Sequence, residues 1–182
     1  MKMRYFFIAV LWLFSGDPAR AQDTDLLQEY QIKAVYLFNF THFVTWPEHA
    51  FANKDEAITL CVLGENPFGD WLDKTLRDET VRRRPLQARY LSTTAKANLT
   101  QCHVLFIAQS VPQVAEVLHQ VAGAPVLTVA ETPSFLSQGG MVRLHWKGKN
   151  VRFAIHQDQA ESAGLQLSYK LLNLAQPPEG TP

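Results

Sequence analysis

The chain has 182 residues, 47% of them apolar and 19% charged. That length fits one domain and that apolar share fits a packed core, which excludes intrinsic disorder and collagen-like repetition. Its 17 Lys and Arg balance its 17 Asp and Glu, so no global field draws the molecule to nucleic acid or anionic lipid, and a charged partner must be met by a local patch.

The first residues fall outside the domain. Met1-Lys2-Met3-Arg4 gives a positive start, Tyr5 to Phe14 is an uninterrupted apolar run, and Ala19-Arg20-Ala21 has the small-x-small pattern of a signal-peptide cleavage site. The run falls short of the roughly 17 to 25 residues that a membrane-spanning helix needs. Residues 1–21 are therefore expected to be a signal peptide cleaved after Ala21, followed by an exported domain over 22–176 and a loose, Pro-rich tail over 177–182. No Cys stands at the cut to carry a lipid, and no later segment is apolar enough to span a bilayer. Direct membrane insertion is thus not expected. In an oxidising compartment thiols tend to pair, and Cys61 and Cys102 are the two candidates. One disulfide is expected, contributing about 3 to 4 kcal/mol in the chain-entropy picture; two buried free thiols are the alternative.

Asp25 with Gln28 resembles a capping box, and Leu26 to Val44 reads as a helix that Trp46-Pro47 ends. Tyr30, Ala34, Leu37, Phe38 and Thr41 form one stripe, and Val35, Phe40, Phe43 and Val44 cover much of the rest, so more than one face is apolar. Ala57 to Leu63 is a buried strand closed by Gly64, and Asn66-Pro67 supplies an N-cap and first-turn proline for a helix through Leu76. Leu86 to Leu91 alternates as a strand. His103 to Ala108 and Pro125 to Ala130 are apolar enough to be buried on both faces, and the helical spacing of Pro112 to Val121 between them makes a right-handed, parallel crossover.

Met141 to Lys147 and Asn150 to Ile155 flank Gly148-Lys149, a two-residue loop with Gly first, as a type II′ hairpin prefers. The register sets Trp146 opposite Val151, Leu144 opposite Phe153 and Val142 opposite Ile155, so one side is wholly apolar. Arg143, His145, Lys147, Arg152 and His156 take the other side. Asp158 with Glu161 reads as a second capping box, Gly164 breaks that turn, and Ser168 to Ala175 is a last short helix. The pattern predicts one three-layer-type α/β domain: a mixed, largely parallel sheet of about six strands, a C-terminal β-hairpin and flanking helices.

Chemistry-bearing motifs are sparse. Gly64-Glu65-Asn66-Pro67-Phe68-Gly69 stands between a strand and a helix, where amides can receive an anion, but Asp70-Trp71 replaces the Lys and Ser/Thr of a phosphate loop and Glu65 repels phosphate. A plain capped turn is the favoured reading. The six histidines show no metal-ligand spacing, no G-x-S-x-G elbow is present, and neither an enzyme nor a cofactor is indicated. Arg82-Arg83-Arg84 is the densest charge run, either a solvated strand start or a contact for acidic groups. Arg143, His145, Arg152 and His156 could bind an anionic small molecule, against the simpler reading of an exposed sheet face. Phe40, Phe43, Trp46 and Phe51 could anchor a protein partner, with core packing the use expected for at least half of them.

An ordered series of blocks is more specific: Lys33-Ala34-Val35-Tyr36-Leu37-Phe38-Asn39-Phe40 with Trp46-Pro47, Cys61-Val62-Leu63-Gly64, and Asn66-Pro67-Phe68-Gly69. Cys102-His103-Val104-Leu105-Phe106-Ile107, Pro125-Val126-Leu127-Thr128-Val129, Gly139-Gly140-Met141 and Val151-Arg152-Phe153 follow. From about Tyr30 to Ala175 the chain resembles the YfiR family. The resemblance implies a periplasmic α/β repressor that binds the periplasmic domain of an inner-membrane diguanylate cyclase, holds it inactive, and so limits cyclic di-GMP and biofilm formation. It also implies a homodimer in some members and reliance on disulfides, which Cys61 and Cys102 fit. The best-characterised type has a further disulfide that this chain lacks, which removes the basis for expecting redox control. A periplasmic binding or sensor protein for a small anionic ligand is the alternative function.

Overall fold

A computed structural model describes residues 18–92, 98–148 and 150–177, with side chains from residue 26 onward. Most of the expected signal peptide, Lys149 of the hairpin turn and all but the first residue of the expected tail lie outside the described residues. Helix α1 (Pro18–Phe43) opens on a proline, whose missing N–H costs nothing in a first turn. Asp25 is therefore an interior helical residue and not the cap that its spacing from Gln28 predicts. Lys33, Ala34, Leu37, Phe40 and Thr41 make the buried stripe, half-buried Tyr36, Phe38 and Phe43 flank it, and Val35 faces solvent.

Past α1 the chain forms β1 (Val44–Thr45), β2 (Ile58–Leu63), α2 (Trp71–Leu76), β3 (Thr80–Val81) and β4 (Arg84–Leu91). It continues through β5 (Val104–Ile107), α3 (Val114–Gln120), β6 (Leu127–Ala130), β7 (Val142–Lys147) and β8 (Asn150–Ile155) to α4 (Gln157–Ser162), β9 (Gln166–Leu167) and α5 (Tyr169–Leu174). Seven strands join in the order β3-β4-β2-β5-β6-β7-β8. The five strands from β4 to β7 are parallel, while β3 and β8 run antiparallel at the two edges. A separate ribbon pairs β1 with β9, Val44 opposite Leu167. The hairpin register matches the predicted one, with Trp146 opposite Val151, Leu144 opposite Phe153 and Val142 opposite Ile155.

Alternation along the buried strands fills both faces of the sheet, which makes three layers. Ile58, Leu60, Val62, Val104, Phe106, Leu127 and Val129 point to the side covered by α1 and α2. Cys61, Leu63, Leu105 and Ile107 point to the other, where Val117, Leu118 and Val121 of α3 and Phe135 cover them. Gly140 is required under Phe135, since a Cβ there would stand 2.4 Å from the ring.

Two expected helix starts are corrected by local hydrogen bonds, and a third, at Ser168, is found as expected. Asn66 Oδ1 accepts from Phe68 N at 2.9 Å and its amide donates to Gly69 O at 2.8 Å, so Asn66 is spent on its own turn and α2 waits until Trp71. The N-cap of α4 is His156, whose Nδ1 accepts from Gln159 N at 3.3 Å, and Asp158 sits inside the first turn. Ser168 caps α5 by accepting from Leu171 N, with the helix at Tyr169–Leu174.

A buried charge network fixes α1 across the sheet. Lys33, 1% exposed, pairs with Glu29 one turn earlier and with Glu131 just beyond β6. Tyr30 donates from its hydroxyl to Glu131 Oε2 at 3.0 Å, and its ring lies 4.5 Å from the Lys33 ammonium. Burial first, then the Glu131 charge, pushes the Tyr30 phenol well above its ordinary pKa. Breaking a buried pair on one side costs about 3 to 5 kcal/mol, so α1 cannot slide along the sheet without stranding a charge.

The Cys61–Cys102 disulfide ties the interior of β2 to the segment that leads into β5, with Cα atoms 5.8 Å apart and a sequence separation of 41. A loop of that length predicts that reduction, or the double substitution Cys61→Ala/Cys102→Ala, lowers unfolding free energy by about 3 to 4 kcal/mol. Urea melts with and without reductant measure it; superimposable melts would contradict it.

Candidate interaction cleft

The disulfide places His103, and His103 organises the end of the sheet where the parallel strands begin. Its backbone N donates to Thr59 O at 2.9 Å, and its backbone O accepts from Leu127 N at 2.9 Å and from Trp46 Nε1 at 3.1 Å. The ring accepts at Nδ1 from Thr59 N at 3.0 Å, which leaves Nε2 as the donor to Ala50 O at 3.2 Å. Burial holds this imidazole below its ordinary pKa; the Ala50 carbonyl and the Glu56 charge oppose that effect and Arg84 adds to it.

Phe51 stacks on the ring of His103 at 4.4 Å and 20°, and the Arg84 guanidinium lies over the Phe51 ring, 3.7 Å from its centroid. Arg84 Nη1 donates to Asn53 O and Glu56 O, both at 2.9 Å. Arg82 reaches back to the end of α1, donating from Nη1 to Val44 O at 3.1 Å and from Nη2 to Thr45 Oγ1 at 2.9 Å. Between these residues lies a cavity of about 160 Å³ lined by Trp46, Phe51, Ile58, Val81, Arg82 and Arg84. It adjoins a groove of about 400 Å³ lined by Lys54, Asp55 and Arg82 to Arg84.

The structure thus joins two sequence features that are far apart in the chain, the aromatic end of α1 and the arginine run. Of the four aromatic candidates, Trp46 and Phe51 line the cavity. Phe40 is 1% exposed and packs edge-on against Phe153, and Phe43 lies against the same core. The hairpin candidates are dispersed. His145 and Arg152 are cross-strand neighbours, but Arg143 is 6% exposed and donates to Pro133 O at 3.3 Å, and His156 caps α4. The half-buried His145 ring meets Gln176 Oε1 at 3.1 Å, and Gln176 also bridges to Ala154. This side of the hairpin is therefore partly covered by the segment after β6 and by the C-terminal end, unlike the open polar face the alternation predicts.

In the loop from Gly64 to Gly69, Gly64 N donates to Leu91 O and Glu65 N to Ser110 Oγ, both at 2.8 Å, and Phe68 N donates to Asn66 Oδ1, which fits the plain turn rather than an anion cradle. Sequence reasoning missed the Lys33 network and the role of His103. The first had a signal, a Glu29–Lys33 spacing of one helical turn on an apolar helix and a lone Glu131 at the end of a buried strand. His103 had none, because its partners come from three other segments. Among the described residues no group of three or more His, Cys, Asp and Glu could hold a metal ion, and no helix is long and apolar enough to cross a membrane.

His103 should stay neutral where free histidine takes up a proton, near pH 6.5. Because the unfolded chain then binds a proton that the folded one resists, stability should fall as pH drops through that value toward the lower folded pKa, and be insensitive to this group above it. An NMR titration of the His103 ring measures this; a midpoint at or above that of free histidine would contradict it.

Comparison with known families gives a match to the YfiR/HmsC-like family over residues 30–176, which begins at Tyr30 in α1 and runs to the segment after α5. The family is one of periplasmic, regulatory proteins of cyclic di-GMP signalling that act through partner proteins. The matched span contains the disulfide, the buried Lys33, His103 and every residue that lines the cleft, and the chain belongs to the YfiR/HmsC-like family.

Proposed function

We propose that this protein is a non-catalytic periplasmic repressor that binds the periplasmic domain of an inner-membrane diguanylate cyclase and stabilises its inactive state, limiting cyclic di-GMP and biofilm formation. The observation that carries this reading is the family match over nearly the whole described domain. The cleft supports it: a cavity with aromatic and aliphatic walls beside a row of arginines, Trp46, Phe51 and Val81 beside Arg82 to Arg84, has the composition of a protein-contact surface. A repressor needs no turnover. It shifts its partner by its difference in affinity for the two states, and a tenfold shift in the equilibrium requires about 1.4 kcal/mol of that difference.

The small-ligand alternative drew on Arg143, His145, Arg152 and His156. With Arg143 beneath the segment after β6 and His156 committed to a helix cap, these four side chains are not gathered on one open face.

Deleting the gene should raise cellular cyclic di-GMP and surface attachment, and supplying the exported chain should restore both. Nucleotide extraction with mass spectrometry reads the first directly. Unchanged cyclic di-GMP on deletion, in cells that express the protein in the wild type, would overturn the proposal.

A further inference from the structure

We propose that the Arg82–Arg84 turn and the adjoining cavity form a two-part receptor for an acidic segment of the partner protein, which seats one apolar side chain against Trp46, Ile58 and Val81 and sets its carboxylates on the arginines and Lys54. The inference rests on the reading of the protein as a partner-binding regulator and adds the chemistry of the contact.

Strain is the first observation. Arg82 and Arg83 have φ of 51° and 67° and form the two-residue turn between the paired residues Val81 and Arg84. A hairpin turn with both central residues left-handed favours Asn and Gly, which adopt that backbone readily, whereas arginine is disfavoured there. A turn needed only for its shape would gain nothing from two arginines. Arg82 has a local reason in its hydrogen bonds to Val44 and Thr45. Arg83 makes no hydrogen bond, ion pair or ring contact with the described residues, yet it sits in the strained position, exposed at the rim of the groove.

Charge is the second. Lys54, Arg82, Arg83 and Arg84 surround one groove with Asp55 as the only acidic lining residue. None of these four cations is in an ion pair among the described residues, while Lys33 has two and Lys74 has one. Glu48 lines the neighbouring cavity, and Glu56 is occupied by Ala52 N. In a chain of zero formal net charge, this local excess favours a negatively charged occupant. Arg84 is held over the Phe51 ring with its Nη1 clamped by two carbonyls, so its geometry is set before a partner arrives.

Shape is the third, and it selects among anionic partners. The cavity of about 160 Å³ has room for one side chain of leucine or phenylalanine size, and it lies next to the cations. An acidic peptide segment supplies both elements within a few residues. A lipid acyl chain is far longer than the cavity, and a lone headgroup would leave it empty.

The test uses the mature, disulfide-bonded protein and a five-residue capped peptide, one phenylalanine with two glutamates on each side, measured by fluorescence anisotropy. Saturable binding is expected, weakened at least tenfold by Arg83→Glu, by exchanging the glutamates for lysines, or by replacing the phenylalanine with alanine, and weakened by added salt. Arg83→Asn suits the left-handed backbone: it should melt at or above the wild type and still bind the peptide more weakly, which separates contact from folding. Absence of saturable peptide binding, or equal binding by Arg83→Glu, overturns the inference. So does binding to phosphatidylglycerol vesicles, lost in Arg83→Glu, without binding to the peptide. In cells, failure of Arg83→Glu to restore low cyclic di-GMP to a deletion strain supports the inference. Full restoration by that variant defeats it while leaving the repressor reading intact, whereas no effect of the deletion itself defeats that reading.

Discussion

One residue ties the sheet to the cleft between the aromatic end of α1 and the arginine turn. His103 holds Thr59 of β2 through two hydrogen bonds, Leu127 of β6 through its carbonyl, and Trp46 and Ala50 of the segment after α1. Both ring nitrogens are used, one as acceptor and one as donor, which a neutral imidazole satisfies and an imidazolium does not. Cys102 precedes it and is bonded to Cys61, so the hub is anchored covalently to β2, an interior strand of the sheet. From there the positioning runs outward: His103 supports Phe51, Phe51 supports Arg84, and Trp46 walls the cavity. The cleft is a consequence of how the core is fastened, on a rigid end of the sheet rather than a free loop.

Much of the fold was legible in the sequence where contacts are local. The hairpin register followed from alternation and a Gly-led loop, and the strands around Leu60, Leu105 and Val129 followed from short apolar runs closed by turn residues. What escaped was decided by distant partners or by competition for one side chain. β3 and β9 have two residues each and exist only through pairing with β4 and β1. His156 takes the cap that Asp158 resembled, and Asn66 spends its amide within its own loop. Arg143 alternates as an outward residue should, yet the segment after β6 folds over it, which the local pattern could not express.

The candidate site was legible only in halves. The aromatic end of α1 and the arginine run stand out separately in the chain, each with an ordinary alternative use, and core packing does claim Phe40. Their meeting depends on β3, the short edge strand, which folds the Arg82-Arg83 turn back toward Val44. Family membership points to regulation through a partner, and the cleft is where we propose that contact. A repressor with a preorganised anchor loses little side-chain entropy on docking, which leaves more of the contact energy to discriminate between the states of its partner.

Which face of the protein becomes protected on binding a partner tests the proposed contact most directly. Amide hydrogen exchange, with and without the periplasmic domain of the membrane cyclase, should show slowed exchange over residues 45–56 and 79–85 and little change along β8. Protection concentrated on the hairpin, with exchange around Phe51 and Arg83 unaltered, would contradict it.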